Sequence, residues 1–346
     1  MRVLVSGSEG YIGSILGPTL MAAGHDVVGL DTGFHRCAWM YNAVPSAPLW
    51  ICRDARDITE EHLAGFDAVV HLADLSNDPL GDFDRSLTFE INHQATVALA
   101  EKAKAAGVGR FVYSSSCSVY GASGATDAWS TEDSPTAPLT AYAECKVLVE
   151  QDLRTLADDS FSPVYLRNAT AFGASPRLRF DLVVNELVGL AVTTSELRLA
   201  SDGTPWRPFV HVRDISKAMR CAIEAPVEAI HNRVFNVGDT TANYQIRDVA
   251  EAIQKVVPGC EITFGDSSGD ARNYRADFTR IATELPGFSC DFDLHRGVEE
   301  LYEVFRQIGL EEETLYARQH RRLKQMTYLR DTDQVDDRFR WKVQPT

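Results

Sequence analysis

The apolar run Val3–Ser6 ends in Gly7-Ser8-Glu9-Gly10-Tyr11-Ile12-Gly13, and this GxxGxxG turn constrains the fold more than any other segment. Glycines let a strand reverse sharply into a helix, let backbone approach an anionic group, and let helix pack closely on strand. The helix patterned over Ile12–Ala23 would then offer unpaired N–H groups and a positive dipole end to a phosphate. Three glycines alone can make nothing more than a tight turn. Their place between a strand and a helix is what phosphate binding requires. The next apolar run, Val27–Leu30, closes on Asp31. A carboxylate there accepts from the hydroxyls of an adenosine ribose and repels a 2′-phosphate, so NAD is expected ahead of NADP. The plain structural alternative for Asp31 is a cap on a helix or turn.

Further buried runs at Ala68–Leu72, Arg110–Tyr113 and Val164–Leu166 alternate with helical patterns at Arg85–Ala106 and Ala141–Leu156. The alternation predicts an α/β fold, a Rossmann doubly wound parallel sheet with helices on both faces. Beyond about residue 170 the rhythm loosens. A helix over roughly 180–194 leads to a strand at Leu197–Ala200 and a turn at Asp202-Gly203-Thr204-Pro205. Strands near Phe209–Val212 and Val234–Val237 and helices near Asp214–Glu224 and Ile246–Val256 follow. We therefore expect an NAD-binding domain over 1–170, rejoined by segments near 208–240. A smaller α/β substrate-binding lobe with the C-terminal helices is expected over 171–346. The tail from Glu311 mixes charges around Leu315, Leu323, Met326 and Leu329, and predicts a closing amphipathic helix with no function legible in it.

Composition removes several classes. With 34 Lys and Arg against 49 Asp and Glu, the net charge is −15, which disfavours holding a nucleic-acid backbone. The seven cysteines are scattered and never form a CxxC pair, which argues against a disulfide framework and against a metal site. No apolar run is long enough to cross a membrane. Met1-Arg2-Val3-Leu4-Val5 runs straight into a strand, leaving no room for a signal peptide, so a cytoplasmic protein is expected.

Tyr142 and Lys146 stand four apart on a predicted helix and share a face. A phenol is a poor base at neutral pH, and an adjacent ammonium favours the phenolate. YxxxK is common by chance, but here Ser114-Ser115-Ser116-Cys117-Ser118-Val119-Tyr120-Gly121 ends the preceding strand, placing hydroxyls at the edge of the sheet where ligands bind. The Gly7–Gly13 turn, Asp31, His71-Leu72-Ala73, Asn92, the serine-rich strand end and the YxxxK helix together resemble the extended short-chain dehydrogenase/reductases, in their nucleotide-sugar epimerase/dehydratase branch. The resemblance covers nearly the whole chain. It implies Ser116, Tyr142 and Lys146 as the catalytic group, with Ser116 on the reacting oxygen and Tyr142 as acid and base. It implies cofactor contacts from Gly7, Gly10, Tyr11, Ile12, Gly13, Asp31, Asp54, Ala55, Leu72, Ala73, Asn92, Ser114 and Asn168, besides Tyr142 and Lys146. Asp74 departs from the family's small residue, and the sequence leaves its role open.

For the substrate, the resemblance implies Ser118, Thr170, Asn185, Arg207 of Trp206-Arg207-Pro208-Phe209-Val210-His211-Val212, and Arg272 of Asp270–Asp277. Arg177 and Arg179 form a further basic spot. Arginine suits a diphosphate, being always charged and forked. Each could equally be a surface salt bridge. The 4,6-dehydratases of the family carry Asp-Glu where this chain has Cys117-Ser118, which disfavours loss of water. A cysteine two residues past the serine marks 3,5-epimerase/4-reductases, whereas Cys117 stands one past it and reads as packing. The expected function is an NAD-dependent nucleotide-sugar epimerase acting at C4 through a 4-keto sugar. A 4-ketoreductase is the alternative, and a non-catalytic dinucleotide sensor is a third. The helices Arg85–Ala106 and Ala141–Leu156 match the family's dimer contact, so a homodimer is expected.

Overall fold

The computed structural model describes residues 1–42, 46–76, 78–121, 129–267 and 273–343. Seven parallel strands form the central sheet: β1 (Arg2–Ser6), β2 (Asp26–Asp31), β3 (Leu49–Cys52), β4 (Ala68–His71), β5 (Arg110–Ser116), β6 (Ser162–Asn168) and, later in the chain, a strand over Arg233–Val237. Their spatial order is Arg233–Val237, β6, β5, β4, β1, β2, β3. The chain thus winds outward from β1 in both directions, and a crevice opens where the winding reverses, between β1 and β4. Register is set by continuous burial: β4 and β6 are buried at every residue, as parallel strands covered on both faces must be. The edge strand β3 pairs only with β2 and alternates exposed with half-buried residues, so it carries no buried run for a sequence pattern to reveal.

Helices cover both faces. Gly13–Ala22 and Val212–Glu224 pack with Leu16, Leu20, Ile215 and Met219 on one side, against Val3, Val5, Val70 and Val112. Ala95–Ala105 and Ala141–Leu156 pack Leu99, Ala103, Val149 and Leu153 on the other, against Leu4, Val69, Phe111 and Tyr165. The single helix expected over Arg85–Ala106 is three consecutive segments: Arg85–Thr88, a widened π-type turn over Phe89–Gln94, and Ala95–Ala105. The turn sets Asn92 inward, where its amide donates to the Leu75 carbonyl (3.1 Å) and accepts from the Leu75 N–H (2.8 Å).

After β6 the chain builds smaller sheets. β7 (Thr170–Phe172) pairs parallel with β9 (Trp206–His211), which pairs antiparallel with a short strand over Asn243–Gln245. Between them in sequence, β8 (Glu196–Ser201) pairs with a strand over Glu261–Ser267. The helices Val183–Thr194, Ile246–Val256 and Leu294–Gln307 close a second core around Phe180, Val188, Phe209, Ile253 and Phe305. The tail is one long helix, Arg322–Asp331, preceded by short turns and followed by a return segment bridged at Val335 and Trp341. No helix among the described residues is long and apolar enough to cross a membrane, and no group of three His, Cys, Asp or Glu there is placed to hold a metal.

Candidate active site

The carboxyl ends of β1, β2, β4, β5 and β6 open into one cavity of about 310 Å³. Its floor is the glycine turn. Gly7 holds φ at +78°, and a β-carbon there would lie 2.9 Å from both the Ala73 nitrogen and the Leu72 carbonyl carbon. A β-carbon on Gly13 would lie 2.2 Å from the Gly7 oxygen. A side chain at Gly7 would push off the end of β4 and one at Gly13 would break the turn itself, so the cradle is shaped by its missing side chains. The Gly13–Ala22 helix starts with no side-chain cap and no acid in its first turn, leaving its amino end open to an anion. Tyr11 donates to the Gly173 carbonyl (2.7 Å) and accepts from Asn185 (3.3 Å), which ties this turn to the second lobe.

Asp31 accepts from the Gly33 N–H (2.7 Å) and the Glu9 N–H (3.0 Å). Burial raises its pKa against those bonds, and its remaining acceptor sites face the cavity. Asp54 and Ala55, Leu72 and Ala73 line the same end. Burial would raise the Asp54 carboxyl, but a two-point ion pair from Arg56 (2.6 and 3.0 Å) outweighs it and holds the group below its usual range. At the other end Asn168 donates to Ser114 Oγ (3.0 Å) and the Ser115 carbonyl (3.2 Å), while its own buried Oδ1 has no protein partner. A glycine cradle, an uncapped helix end, a buried carboxylate ending β2 and an unpartnered amide oxygen in one cavity fit NAD.

Ser116, Tyr142 and Lys146 all line the cavity. Ser116 Oγ accepts from the Ser118 N–H (3.1 Å), leaving its hydroxyl proton to donate. Thr140 caps the Ala141–Leu156 helix through the Ala143 N–H (3.2 Å), so the first turn that carries Tyr142 is fixed. Lys146 Nζ lies 5.3 Å from the centre of the Tyr142 ring and 4.5 Å from that of Tyr113. It donates to the Ser114 carbonyl and to the carboxylate of Asp74. Burial opposes the ammonium, and the Asp74 charge outweighs it, holding Lys146 above its ordinary pKa. Asp74 is therefore Lys146's counter-ion, and its second oxygen, Oδ1, is buried without a partner at the cavity wall.

Beneath the serines runs a buried network. Glu150 takes two bonds from Arg167 (2.7 and 3.0 Å) and one from Ser115 (2.6 Å). Arg167 also donates to Tyr120 Oη (3.0 Å), which donates to Asn236 (2.6 Å). Cys117 points into this layer, with Sγ 3.1 Å from the Arg167 carbonyl, and burial pushes its thiol far above its ordinary pKa. It does not line the cavity.

Of the expected substrate contacts, Ser118, Thr170, Arg179 and Arg207 line the cavity. Ser118 Oγ is buried without a partner, Arg207 donates to the Trp206 carbonyl (2.8 Å), and Arg179 holds Asp181 (2.8 Å). Three expected contacts stand behind the wall: Asn92, expected at the cofactor, and Asn185 and Arg177, expected at the substrate. Asn92 holds Leu75, and Asn185 holds Gly173 N (2.9 Å) and Tyr11. Arg177 pairs with Glu9, with its guanidinium over the Trp39 ring (4.6 Å). Arg272 lies outside the described residues. The structure places Tyr274 of the Asp270–Asp277 motif on the wall and adds wall residues that no motif announced, His35 and, from the tail, Arg322 and Met326. Nothing local in sequence signals the last two, since they reach the cavity from the far end of the chain.

Residues 3–238 match the NAD dependent epimerase/dehydratase family. A UDP-glucose 4-epimerase of Mycolicibacterium smegmatis is 32% identical over 321 residues, covering 88% of this chain and 99% of that protein. One from Corynebacterium glutamicum is 30% identical over 329 residues, covering 89% and 97%. Among solved structures, MoeE5 in complex with UDP-glucuronic acid and NAD superposes with a TM-score of 0.75 at 27% identity, over 89% of this chain and 99% of that one. A UDP-glucuronic acid 4-epimerase from Bacillus cereus, in complex with UDP-glucuronic acid and NAD, gives 0.75 at 25% identity, over 89% and 100%. The chain belongs to the NAD-dependent epimerase/dehydratase family, and NAD is its cofactor.

Proposed function

We propose that this enzyme inverts C4 of a UDP-linked sugar through a transient 4-keto sugar. The observation that carries the proposal is that Ser116, Tyr142 and Lys146 all line the cavity while Cys117 is turned into the core. Loss of water from the sugar needs a further acid and base beside the serine. The residues at those positions are a buried thiol and a serine, and Asp74, a carboxylate lining the same cavity, is committed to Lys146. The relatives named UDP-glucose 4-epimerase, and the UDP-glucuronic acid 4-epimerase among the structures, support the same choice.

When bound, NAD supplies a hydride acceptor that returns what it takes, so the sugar is inverted with no net oxidation. Tyr142 removes the proton of the C4 hydroxyl, and the Lys146 ammonium stabilises the phenolate before that transfer. Ser116 donates a hydrogen bond to the same oxygen as it becomes a ketone. Ser118 Oγ, Thr170, Arg179 and Arg207 receive the sugar and its diphosphate, with Arg177 and Asn185 fixing the loops behind them. Arg272 is proposed as a second diphosphate arginine from sequence alone.

The test is incubation with UDP-glucose, UDP-galactose and UDP-glucuronic acid, with products separated chromatographically. A C4-deuterated substrate should yield its epimer with the label retained and no added NADH consumed. With a 4-keto sugar nucleotide supplied in a parallel reaction, NADH disappearing in proportion to product, without epimerisation of the three sugars, would make the enzyme a 4-ketoreductase instead. A 4-keto-6-deoxy product would overturn the argument from Cys117 and Ser118, and absence of any turnover would favour a sensor.

A further inference from the structure

The C-terminal segment, which lies outside the residues matched to the family, wraps the adenosine end of the cavity. Three loops build that end, after β2, β3 and β4, and the segment grips each of them. Trp341 Nε1 donates to the Thr32 carbonyl (2.6 Å) and Gln325 Nε2 to the Phe34 carbonyl (2.9 Å), both after β2. Arg340 pairs with Asp57 and stands 3.7 Å from Asp54, after β3. Met326, Leu329 and Phe339 bury with Leu75 and Leu80, after β4.

From the first turn of this tail helix, Arg322 reaches the cavity wall. The residue is 3% exposed, and its Nη1 is buried with no hydrogen-bond partner. The charges around it are Arg179, Asp181 and Asp31, and Cys37 is close by. Asp181 is paired with Arg179, and neither Asp181 nor Asp31 accepts from Arg322 Nη1. Burial and the neighbouring Arg179 push the Arg322 guanidinium down to about 9, the mark of a cation that lacks its anion. A buried arginine with an idle N–H is unfavourable by itself. It becomes favourable when an anion with free oxygens sits against it.

We propose that the C-terminal segment is a strap that completes the NAD site, and that Arg322 binds the diphosphate of the dinucleotide together with the glycine turn. This inference rests on NAD being the cofactor and is independent of which sugar reaction is catalysed. The glycine turn offers backbone N–H groups, and Arg322 offers a fork from the cavity wall. Cofactor binding and docking of the tail are then one event, because ordering the diphosphate also satisfies the arginine that the strap buries.

The test uses the full chain stripped of bound nucleotide and titrated calorimetrically with NAD, ADP, adenosine and UDP. A charge-assisted hydrogen bond to phosphate predicts that Arg322→Met weakens NAD and ADP about 10–100-fold while leaving adenosine and UDP unchanged. Arg322→Lys, which keeps one charge, should recover part of the loss and serves as the second variant should the methionine protein not fold. The melting temperature of nucleotide-free Arg322→Met should hold or rise, while its increase on adding NAD shrinks. A merely structural arginine would do the reverse. In the unaltered protein, saturating NAD should slow tryptic cleavage within residues 318–342. Wild-type affinity of Arg322→Met for NAD and ADP would overturn the proposal. So would a loss confined to UDP, which would place Arg322 in the substrate half.

Discussion

Replacing Asp74 by asparagine tests the electrostatics of the reaction wall directly. The substitution is isosteric, and the amide oxygen it introduces can still accept from Lys146 Nζ, so the contact survives while one charge is removed. Lys146 then faces Tyr142 without a counter-ion, and the phenolate becomes easier to form. The ammonium stands 5.3 Å from the Tyr142 ring, and Asp74 lies on that same ammonium. Taking carboxylate and phenolate as roughly 8 Å apart at an effective dielectric of about 20, their repulsion is about 2 kcal/mol, or about 1.5 pH units. Water entering beside the new amide screens part of this, so a fall of about one unit is expected. The assay is kcat/KM for the sugar nucleotide against pH with NAD saturating, because that ratio reports groups in the free enzyme. The midpoint of the rising limb should move toward lower pH in Asp74→Asn and toward higher pH in Lys146→Met. Removing one member of a buried pair also destabilises by roughly 3–5 kcal/mol. The comparison must therefore be made well below the melting temperature, with folding checked by circular dichroism. An unchanged midpoint, or an upward shift in Asp74→Asn, would refute the claim that Asp74 sets the basicity of this wall.

Tyr142→Phe should keep NAD binding and lose roughly 10²–10⁴ in turnover, with Ser116→Ala losing less, since it removes a hydrogen bond and leaves the proton acceptor. Full activity in the phenylalanine variant would remove Tyr142 from the chemistry. Asp31→Ala should raise affinity for NADP relative to NAD, because a carboxylate at the ribose no longer repels the 2′-phosphate; an unaltered ratio of dissociation constants would refute this. Burial holds the His71 imidazole down at about 4, between Ser6 Oγ (2.6 Å) and Thr96 Oγ1 (2.8 Å). The unfolded chain titrates near 6.5 and so takes up the proton first as pH falls. Its contribution, roughly 3 kcal/mol, is fully present above about pH 6.5 and is lost toward about pH 4. Urea unfolding across that range should show the loss, and His71→Gln should flatten it. A homodimer built on the Arg85–Ala105 and Ala141–Leu156 helices should appear as twice the chain mass of 38.3 kDa in light scattering, independent of dilution over the micromolar range.

What could be read from the sequence follows the range of the interactions involved. The sheet was legible because each central strand is buried on both faces, so Val3–Ser6 and Ala68–Leu72 had to be apolar runs. The edge strand Leu49–Cys52 was not, since half its side chains meet water and no pattern distinguishes it from a loop. The glycine turn and the YxxxK pair were legible because their partners lie within one turn of chain. Asp74 could be seen as an anomaly after His71-Leu72-Ala73, yet its meaning required knowing that Lys146 crosses 72 residues to meet it. Arg167 illustrates the same limit from inside the core. An arginine ending a buried strand is a signal that some acid must be nearby, but only the packing of the Ala141–Leu156 helix shows that the acid is Glu150. The tail is the extreme case. Its mixed charges look like an ordinary solvated helix, because the apolar surface it covers comes from residues at the opposite end of the chain. A charged helix is legible as part of a site only once the cavity it closes is known, and this is why Arg322 is found from the structure and not from its neighbours in sequence.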